Sequence, residues 1–139
     1  MTLLADTSIW IAYFRSQGSE ELKASLGERI AAGEVHTCWP VRVEVLVGAR
    51  GESAFRRLAG LFKALPEVTL DSRIWEETAA LGFRVRRAGL SIPLADLLIA
   101  QAASSAGLEL WHMDAHFEML TAHLTLTTRS FLPGNAVSS

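Results

Sequence analysis

The sequence contains one cysteine, two lysines and no long hydrophobic run, and these shortages exclude several classes of protein. A single cysteine, Cys38, cannot form an internal disulfide, so we expect a buried thiol in a reducing cytoplasm. No apolar run approaches the roughly twenty residues that span a bilayer, and the start, MTLLADTSIW, lacks the basic region of a signal peptide. We therefore expect a cytoplasmic protein that does not associate with membranes.

Positive charge is also scarce for a protein that binds nucleic acid. Lys and Arg number 13 against 15 Asp and Glu, which gives a net charge of −2. If four of the acids, Asp6, Glu44, Asp96 and Asp114, bind metal, the remaining charges sum to +2. Eleven of the 13 cations are arginines, which suit bidentate phosphate contacts. A GC-rich genome explains this arginine content equally well.

Short apolar runs alternate with amphipathic segments, which predicts a three-layer α/β/α domain with a mainly parallel sheet. We predict strands at 3–6, 35–39, 68–70, 108–111 and 124–127. Helices are predicted at 8–14, 19–32, 52–65, 71–88, 93–105 and 116–121, with another from Pro40 to just before Gly48 or Gly51. The 139 residues suit one domain over 1–132, followed by a flexible tail, PGNAVSS, at 133–139.

Four acids stand in largely apolar surroundings, unlike the others in the chain. Asp6 ends the first strand, Glu44 lies within VRVEVLV, Asp96 lies within SIPLADLLIA, and Asp114 follows LELWHM. A carboxylate in such a place is costly unless it is paired, hydrogen-bonded or bound to metal. Strand ends and the helix starts beside them meet at the carboxyl edge of a parallel sheet. We therefore expect the four acids to share one crevice.

Each of these acids also has a structural explanation when it is taken alone. The three aspartates suit helix caps or first turns, and Glu44 suits an ion pair with Arg42 or Arg50. However, no four nearby cations are placed to neutralise all four acids. The combination favours one or two Mg²⁺ or Mn²⁺ ions, which prefer oxygen ligands.

Four motifs carry a resemblance to a known family. They are LLADTS at 3–8, VEVL at 43–46, SIPLADLLIA at 91–100 and LWHMDAHF at 110–117, and their order and spacing cover nearly the whole chain. They resemble the PIN-domain family and, within it, the VapC toxins of bacterial toxin–antitoxin pairs. The resemblance implies that the acidic quartet is Asp6, Glu44, Asp96 and Asp114, with Thr7 or Ser8 as the polar neighbour of the first.

The resemblance further implies a Mg²⁺-dependent endoribonuclease, with Mn²⁺ as the alternative ion. Asp6, Asp96 and Asp114 would hold an ion that polarises the phosphodiester and activates water, while Glu44 completes the site or acts as base. The implied partners are an RNA substrate, a VapB-like antitoxin with a basic segment in the crevice, and a second copy in a homodimer. Apolar surfaces at 9–14 or 39–49 would suit a partner helix.

Two positions depart from the family pattern. His112 stands where Thr or Ser is often found, and His116 stands where another acid is common. Arg84, Arg86 and Arg87 form either a solvated face or part of the crevice. The four tryptophans are expected in the core or at an interface rather than as platforms for base stacking.

Two other classes of acidic-site protein need a residue that this sequence lacks. A DxD phosphatase needs a second Asp where Ser8 stands, and a phospho-receiver domain needs a late lysine, whereas Lys23 and Lys63 are the only lysines. A non-catalytic PIN binding module is disfavoured because all four acids are present. A PIN nuclease acting on DNA or in housekeeping RNA processing remains the alternative, and the sequence leaves the RNA target open.

Overall fold

The computed structural model describes residues 2–133, so the predicted tail lies outside the described residues from position 134 onward. The described part contains four strands, β1 Leu3–Ala5, β2 Val35–His36, β3 Glu109–His112 and β4 Thr128–Ser130. It contains seven helices, α1 Thr7–Phe14, α2 Glu20–Ala31, α3 Trp39–Val47, α4 Glu52–Lys63, α5 Ser72–Arg87, α6 Leu94–Ala106 and α7 Ala115–Leu120.

The strands form one sheet in the order β2-β1-β3-β4, and every pairing is parallel. Leu3 pairs with Val35 on one side and with Glu109 on the other, so β1 is a central strand. A central parallel strand is covered on both faces, which explains why the first strand is an unbroken apolar run. The parallel sheet with its flanking helices confirms the predicted α/β/α class.

The helices begin and end where local chemistry favours it. The hydroxyl of Ser19 accepts a hydrogen bond from the backbone N–H of Leu22 at 3.2 Å and caps α2, as expected. Pro40 lies in the first turn of α3, where a missing N–H costs nothing. Gly107 ends α6 with a φ of 66°, a left-handed conformation that a residue with a Cβ adopts at a cost.

The core lies between the sheet and the helices and is dominated by large aromatic side chains. Trp10, Phe62, Trp111 and Phe117 are fully buried. The rings of Trp10 and Phe62 meet edge to face with centroids 5.2 Å apart. Burial of each such side chain stabilises the fold by about 1.5–3 kcal/mol. Cys38 is buried as expected, and this burial raises the pKa of its thiol to about 12.

The shortest strands were the least well predicted. Residues 68–70 form no strand, and a single parallel bridge joins Thr37 to Glu67 instead. The last strand lies at Thr128–Ser130 rather than 124–127. Leu124 and Leu126 do pack on the core, but from an extended segment that precedes the pairing with β3. Apolar alternation therefore identified the buried segment without locating its hydrogen bonds.

Within residues 2–133, no helix combines the length and the hydrophobicity needed to cross a membrane.

Candidate active site

The carboxyl ends of β1 and β3 form the topological switch point of the sheet. From β1 the chain moves to β2 on one side and later returns as β3 on the other side. Ligands of open parallel sheets bind in the crevice at such a point. Asp6 directly follows β1, and Asp114 stands two residues after β3. The backbone N–H of Asp6 donates to the carbonyl of Trp111 at 3.0 Å, which keeps the two strand ends together.

Asp6 is only 3% exposed and is the N-cap of α1. Its Oδ1 accepts hydrogen bonds from the Ser8 hydroxyl at 2.7 Å and from the backbone N–H of Ile9 at 3.2 Å. The backbone N–H of Ser8 also donates to this carboxylate. Burial raises the pKa of Asp6 to about 7, with help from the charge of Asp96 and against these hydrogen bonds. The N-cap of α1 is therefore a buried carboxylate with a raised pKa.

Ser8 and Thr7 hold different acids in place. The Ser8 hydroxyl donates to Asp6 and accepts from the backbone N–H of Met113 at 3.0 Å, so it joins the start of α1 to the segment after β3. Thr7 donates from Oγ1 to Oε1 of Glu44 at 2.5 Å. Glu44 lies on an exposed face of α3, and this contact fixes its carboxylate beside the carboxyl end of β1.

Asp96, Asp114 and His116 form a compact cluster at the same edge. Asp96 lies in the first turn of α6, Asp114 caps α7, and His116 lies in the first turn of α7. The Nδ1 atom of His116 is 2.9 Å from Oδ2 of Asp96 and 3.2 Å from Oδ1 of Asp114. One ligand atom from each residue lies within 4.8 Å of the others.

Electrostatic coupling unites the four predicted acids around Asp96. Burial raises the pKa of Asp96, the charges of Asp114 and Glu44 raise it further, and the hydrogen bond with His116 opposes the change. The charge of Asp96 in turn contributes to the raised pKa of Asp6. The structure thus couples each of the other three acids to Asp96, at the edge where the sequence predicts a site, and brings Asp96 and Asp114 into one compact group.

No Lys or Arg among residues 2–133 forms an ion pair with any of the four acids. Glu44 does not pair with Arg42, the structural alternative that the sequence allowed, because Arg42 is bound to Glu67 at 3.0 Å and stacks on the ring of Trp39 at 3.8 Å. Arg84 donates to the carbonyl of His123 at 3.3 Å, on the exposed end of α5. The acidic cluster therefore keeps a charge surplus that these protein cations do not offset.

The His112 ring is buried behind the site and does not face the crevice. It is fully buried, its Nδ1 accepts from the backbone N–H of Asp114 at 3.1 Å, and its Nε2 lies 2.9 Å from Oε1 of Glu118. Partial burial works to raise the pKa of Glu118, but hydrogen bonds from Thr128 and His112 lower it overall. Glu118 was missed by the sequence reasoning, since nothing in AHFEML separates it from a solvated helical acid.

Two grooves are lined in part by α3, one apolar and the other of mixed composition, with Arg15 and Arg50 among its residues. The tryptophan groove, of about 330 Å³, contains Trp39 and Trp75, which are 51% and 49% exposed, together with Val43, Leu70, Leu94 and Leu98. Glu44 lies at its margin. The α1–α4 groove is lined by Ile11, Phe14, Val45 and Leu58. Trp10 and Trp111 are core residues as expected, whereas Trp39 and Trp75 leave half of their surface on this groove.

The donor set of the cluster fits a divalent cation. Carboxylate oxygens are the ligands that Mg²⁺ and Mn²⁺ prefer, and Asp96, Asp114 and His116 place one ligand atom each within 4.8 Å of the others. The raised pKa values of Asp6 and Asp96 indicate a site that is short of positive charge. A bound cation would relieve this shortage at all four acids.

Comparisons with known proteins agree with this geometry. The PIN domain family model matches residues 3–121. A VapC ribonuclease of Mycobacterium bovis and ribonuclease VapC11 of Mycobacterium tuberculosis are each 34% identical over 134 residues, covering 93% of this chain and 98% of the relative. The structure of VapBC2 from Rickettsia felis, bound to a DNA fragment from its promoter, superposes with a TM-score of 0.72 at 15% identity, covering 94% of this chain and 99% of that chain.

Proposed function

The chain belongs to the PIN domain family and to the VapC ribonucleases within it, and we propose that it is the toxin of a toxin–antitoxin pair. Its proposed reaction is the metal-dependent hydrolysis of RNA phosphodiesters at Asp6, Glu44, Asp96 and Asp114. The observation that carries the proposal is the charge surplus of this cluster, which no Lys or Arg of the described chain offsets. We propose that the protein acts in the cytoplasm, where its RNA substrate would be found.

Asp6, Asp96 and Asp114 would hold the ion, for which we propose Mg²⁺ with Mn²⁺ as the alternative. A divalent ion here supplies a Lewis acid that stabilises charge on the phosphodiester and makes water a better nucleophile. The protein residues orient this chemistry. Ser8 fixes the carboxylate of Asp6, and the buried His112 fixes the backbone at Asp114.

Glu44 is the proposed general base. It is the exposed member of the quartet, and its carboxylate is held by the hydroxyl of Thr7. Its Oε2 is therefore available to orient a water and accept its proton during in-line attack on phosphorus. If the attacking water forms the new P–O bond opposite the 3′-oxygen, the P–O3′ bond breaks and the 3′-oxygen takes up a proton as it leaves. The products would then carry a 5′-phosphate and a 3′-hydroxyl, and the ribose 2′-hydroxyl takes no part in this route.

The α1–α4 groove supports an antitoxin as protein partner. Exposed Ile11 and Phe14 form an apolar surface of the kind that receives an amphipathic helix. We propose that the antitoxin helix binds there and that a basic side chain following it enters the acidic cluster. An Arg is the expected residue, since its guanidinium contacts carboxylates in a bidentate manner.

The tryptophan groove supports a homodimer. Its half-exposed Trp39 and Trp75 form an apolar patch of the type that monomeric proteins seldom leave open. Burial of this patch between two copies would set the two acidic clusters side by side, because Glu44 lies at its margin. Analytical ultracentrifugation of the wild type and of Trp75→Arg tests this assembly, and a wild-type monomer would contradict it.

The function is tested with purified protein and end-labelled RNA and DNA oligonucleotides of one sequence. We expect cleavage of RNA with Mg²⁺ or Mn²⁺, 5′-phosphate products, and no cleavage with EDTA. The substitutions Asp6→Asn and Asp96→Asn should abolish the metal-dependent cleavage of RNA. Asp71→Asn is the matched control, because Asp71 caps α5 through the N–H of Ile74 as Asp6 caps α1. Cleavage in EDTA would refute the metal site, and preferential cleavage of DNA would favour the alternative nuclease.

A further inference from the structure

His116 lies inside the acidic cluster, between two of the proposed metal ligands. Its Nδ1 is 2.9 Å from an oxygen of Asp96 and 3.2 Å from an oxygen of Asp114. Neighbouring ligands of an octahedral ion, each about 2.1 Å from the metal, lie roughly 3 Å apart. Both nitrogen–oxygen distances therefore suit neighbouring ligands of one ion, and one ligand atom of each residue lies within 4.8 Å of the others. Asp6 lies outside this compact group, but it is buried and its charge is coupled to that of Asp96.

Charge balance favours ligation over a simple hydrogen bond between His116 and its neighbours. One protonated imidazole would neutralise one of four carboxylates and leave the rest of the cluster unbalanced. A divalent ion bound by the neutral ring neutralises more charge and uses the same ring nitrogen. The ring is also held in position, since the backbone N–H of His116 donates to Oδ1 of Asp114 at 2.9 Å within the first turn of α7.

The nitrogen changes which ion the cluster selects. Imidazole is a softer ligand than carboxylate, and it favours the first-row transition metals over Mg²⁺. We infer that His116 is a nitrogen ligand of the ion held by Asp96 and Asp114, so that this site prefers Mn²⁺ to Mg²⁺ more strongly than a site made only of carboxylates. The inference rests on the proposed function for the existence of a bound ion, and it assigns a ligand and a metal preference that the four acids alone do not specify.

Electron spin echo spectroscopy of the Mn²⁺-loaded protein tests the ligand directly. We expect modulation from a coordinated nitrogen in the wild type, and a change in its pattern when histidine is labelled with ¹⁵N. His116→Asp should lose the modulation while still binding Mn²⁺ through oxygen. In competition titrations, the ratio of Mn²⁺ to Mg²⁺ affinity should fall at least about tenfold in this variant.

His123→Gln is the matched control, because His123 follows α7 and makes no side-chain contact with the cluster in the described chain. It should retain both the nitrogen modulation and the wild-type affinity ratio. The inference would be overturned if the wild type bound Mn²⁺ without nitrogen modulation, or if the modulation persisted in folded His116→Asp. Either result would leave the proposed function intact. RNA cleavage that continues in EDTA would instead refute the proposed function itself. Circular dichroism establishes that each variant is folded.

Discussion

Replacement of Asp6 by Asn is expected to stabilise the metal-free protein above neutral pH while abolishing RNA cleavage. Asn retains the oxygen that accepts hydrogen bonds from Ser8 and Ile9, so the cap of α1 survives. The substitution removes a negative charge that is buried and repelled by Asp96. The folded state therefore gains free energy from a change that deletes a proposed metal ligand.

The magnitude follows from the raised pKa of Asp6. This pKa is about 7 in the folded protein against an ordinary value of 3.8, so between these pH values the folded state holds a proton that the unfolded chain has released. Wild-type stability therefore falls as the pH rises through this window, and the penalty is complete above the folded-state pKa. A difference of about three in pKa corresponds to roughly 4 kcal/mol. Below about pH 4 both states are protonated and the penalty disappears.

Urea unfolding in EDTA, followed by circular dichroism at several pH values, measures this effect. The difference in unfolding free energy between Asp6→Asn and wild type should grow by roughly 4 kcal/mol from about pH 4 to about pH 8. Asp71→Asn, a cap substitution at an exposed helix start, should show no such growth. A variant that is equally destabilised at every pH would refute the reasoning and make Asp6 a structural cap.

Three further outcomes are expected. Glu44→Gln should lower the single-turnover cleavage rate by about 10²–10⁴-fold with little change in stability, and an unchanged rate would remove Glu44 as base. His112→Ala should cost about 1–3 kcal/mol in urea unfolding, because it orphans the N–H of Asp114, and should weaken Mn²⁺ binding. Gly107→Ala should destabilise by about 1–2 kcal/mol because of its φ of 66°, whereas Gly60→Ala, in open space within α4, should stabilise by up to about 1 kcal/mol.

The fold was largely predictable because the helices carry local signals. Ser19, Pro40 and Gly107 mark helix boundaries through chemistry that acts within one turn. The strand order could not be predicted in this way, because β1 pairs with β3 across more than a hundred residues. The misplaced last strand has the same cause, since the apolar pattern at 124–127 records burial and not pairing.

Only part of the candidate site could likewise be predicted from the sequence. The four acids were conspicuous because each interrupts an apolar run, and burial of an uncompensated carboxylate is costly. Glu118 gave no such signal, since it stands in a short helix of mixed composition, and His116 was noted only because the family pattern often has an acid at its position. Their roles come from contacts with Asp96 and Thr128, which lie in other elements. Sequence reasoning therefore found the charge of the site and missed part of its support.

The same charge surplus connects catalysis with inhibition. Asp96 is repelled by Asp114 and Glu44, and Asp6 is repelled by Asp96, so any cation that enters the cluster stabilises the fold. A divalent ion and a basic side chain of an antitoxin both meet this need, and they would occupy the same oxygens. Their binding should therefore be competitive, so that each lowers the apparent affinity of the other as its own concentration rises. An antitoxin that acts in this way inhibits by removing the metal, and control then needs no conformational change in the nuclease.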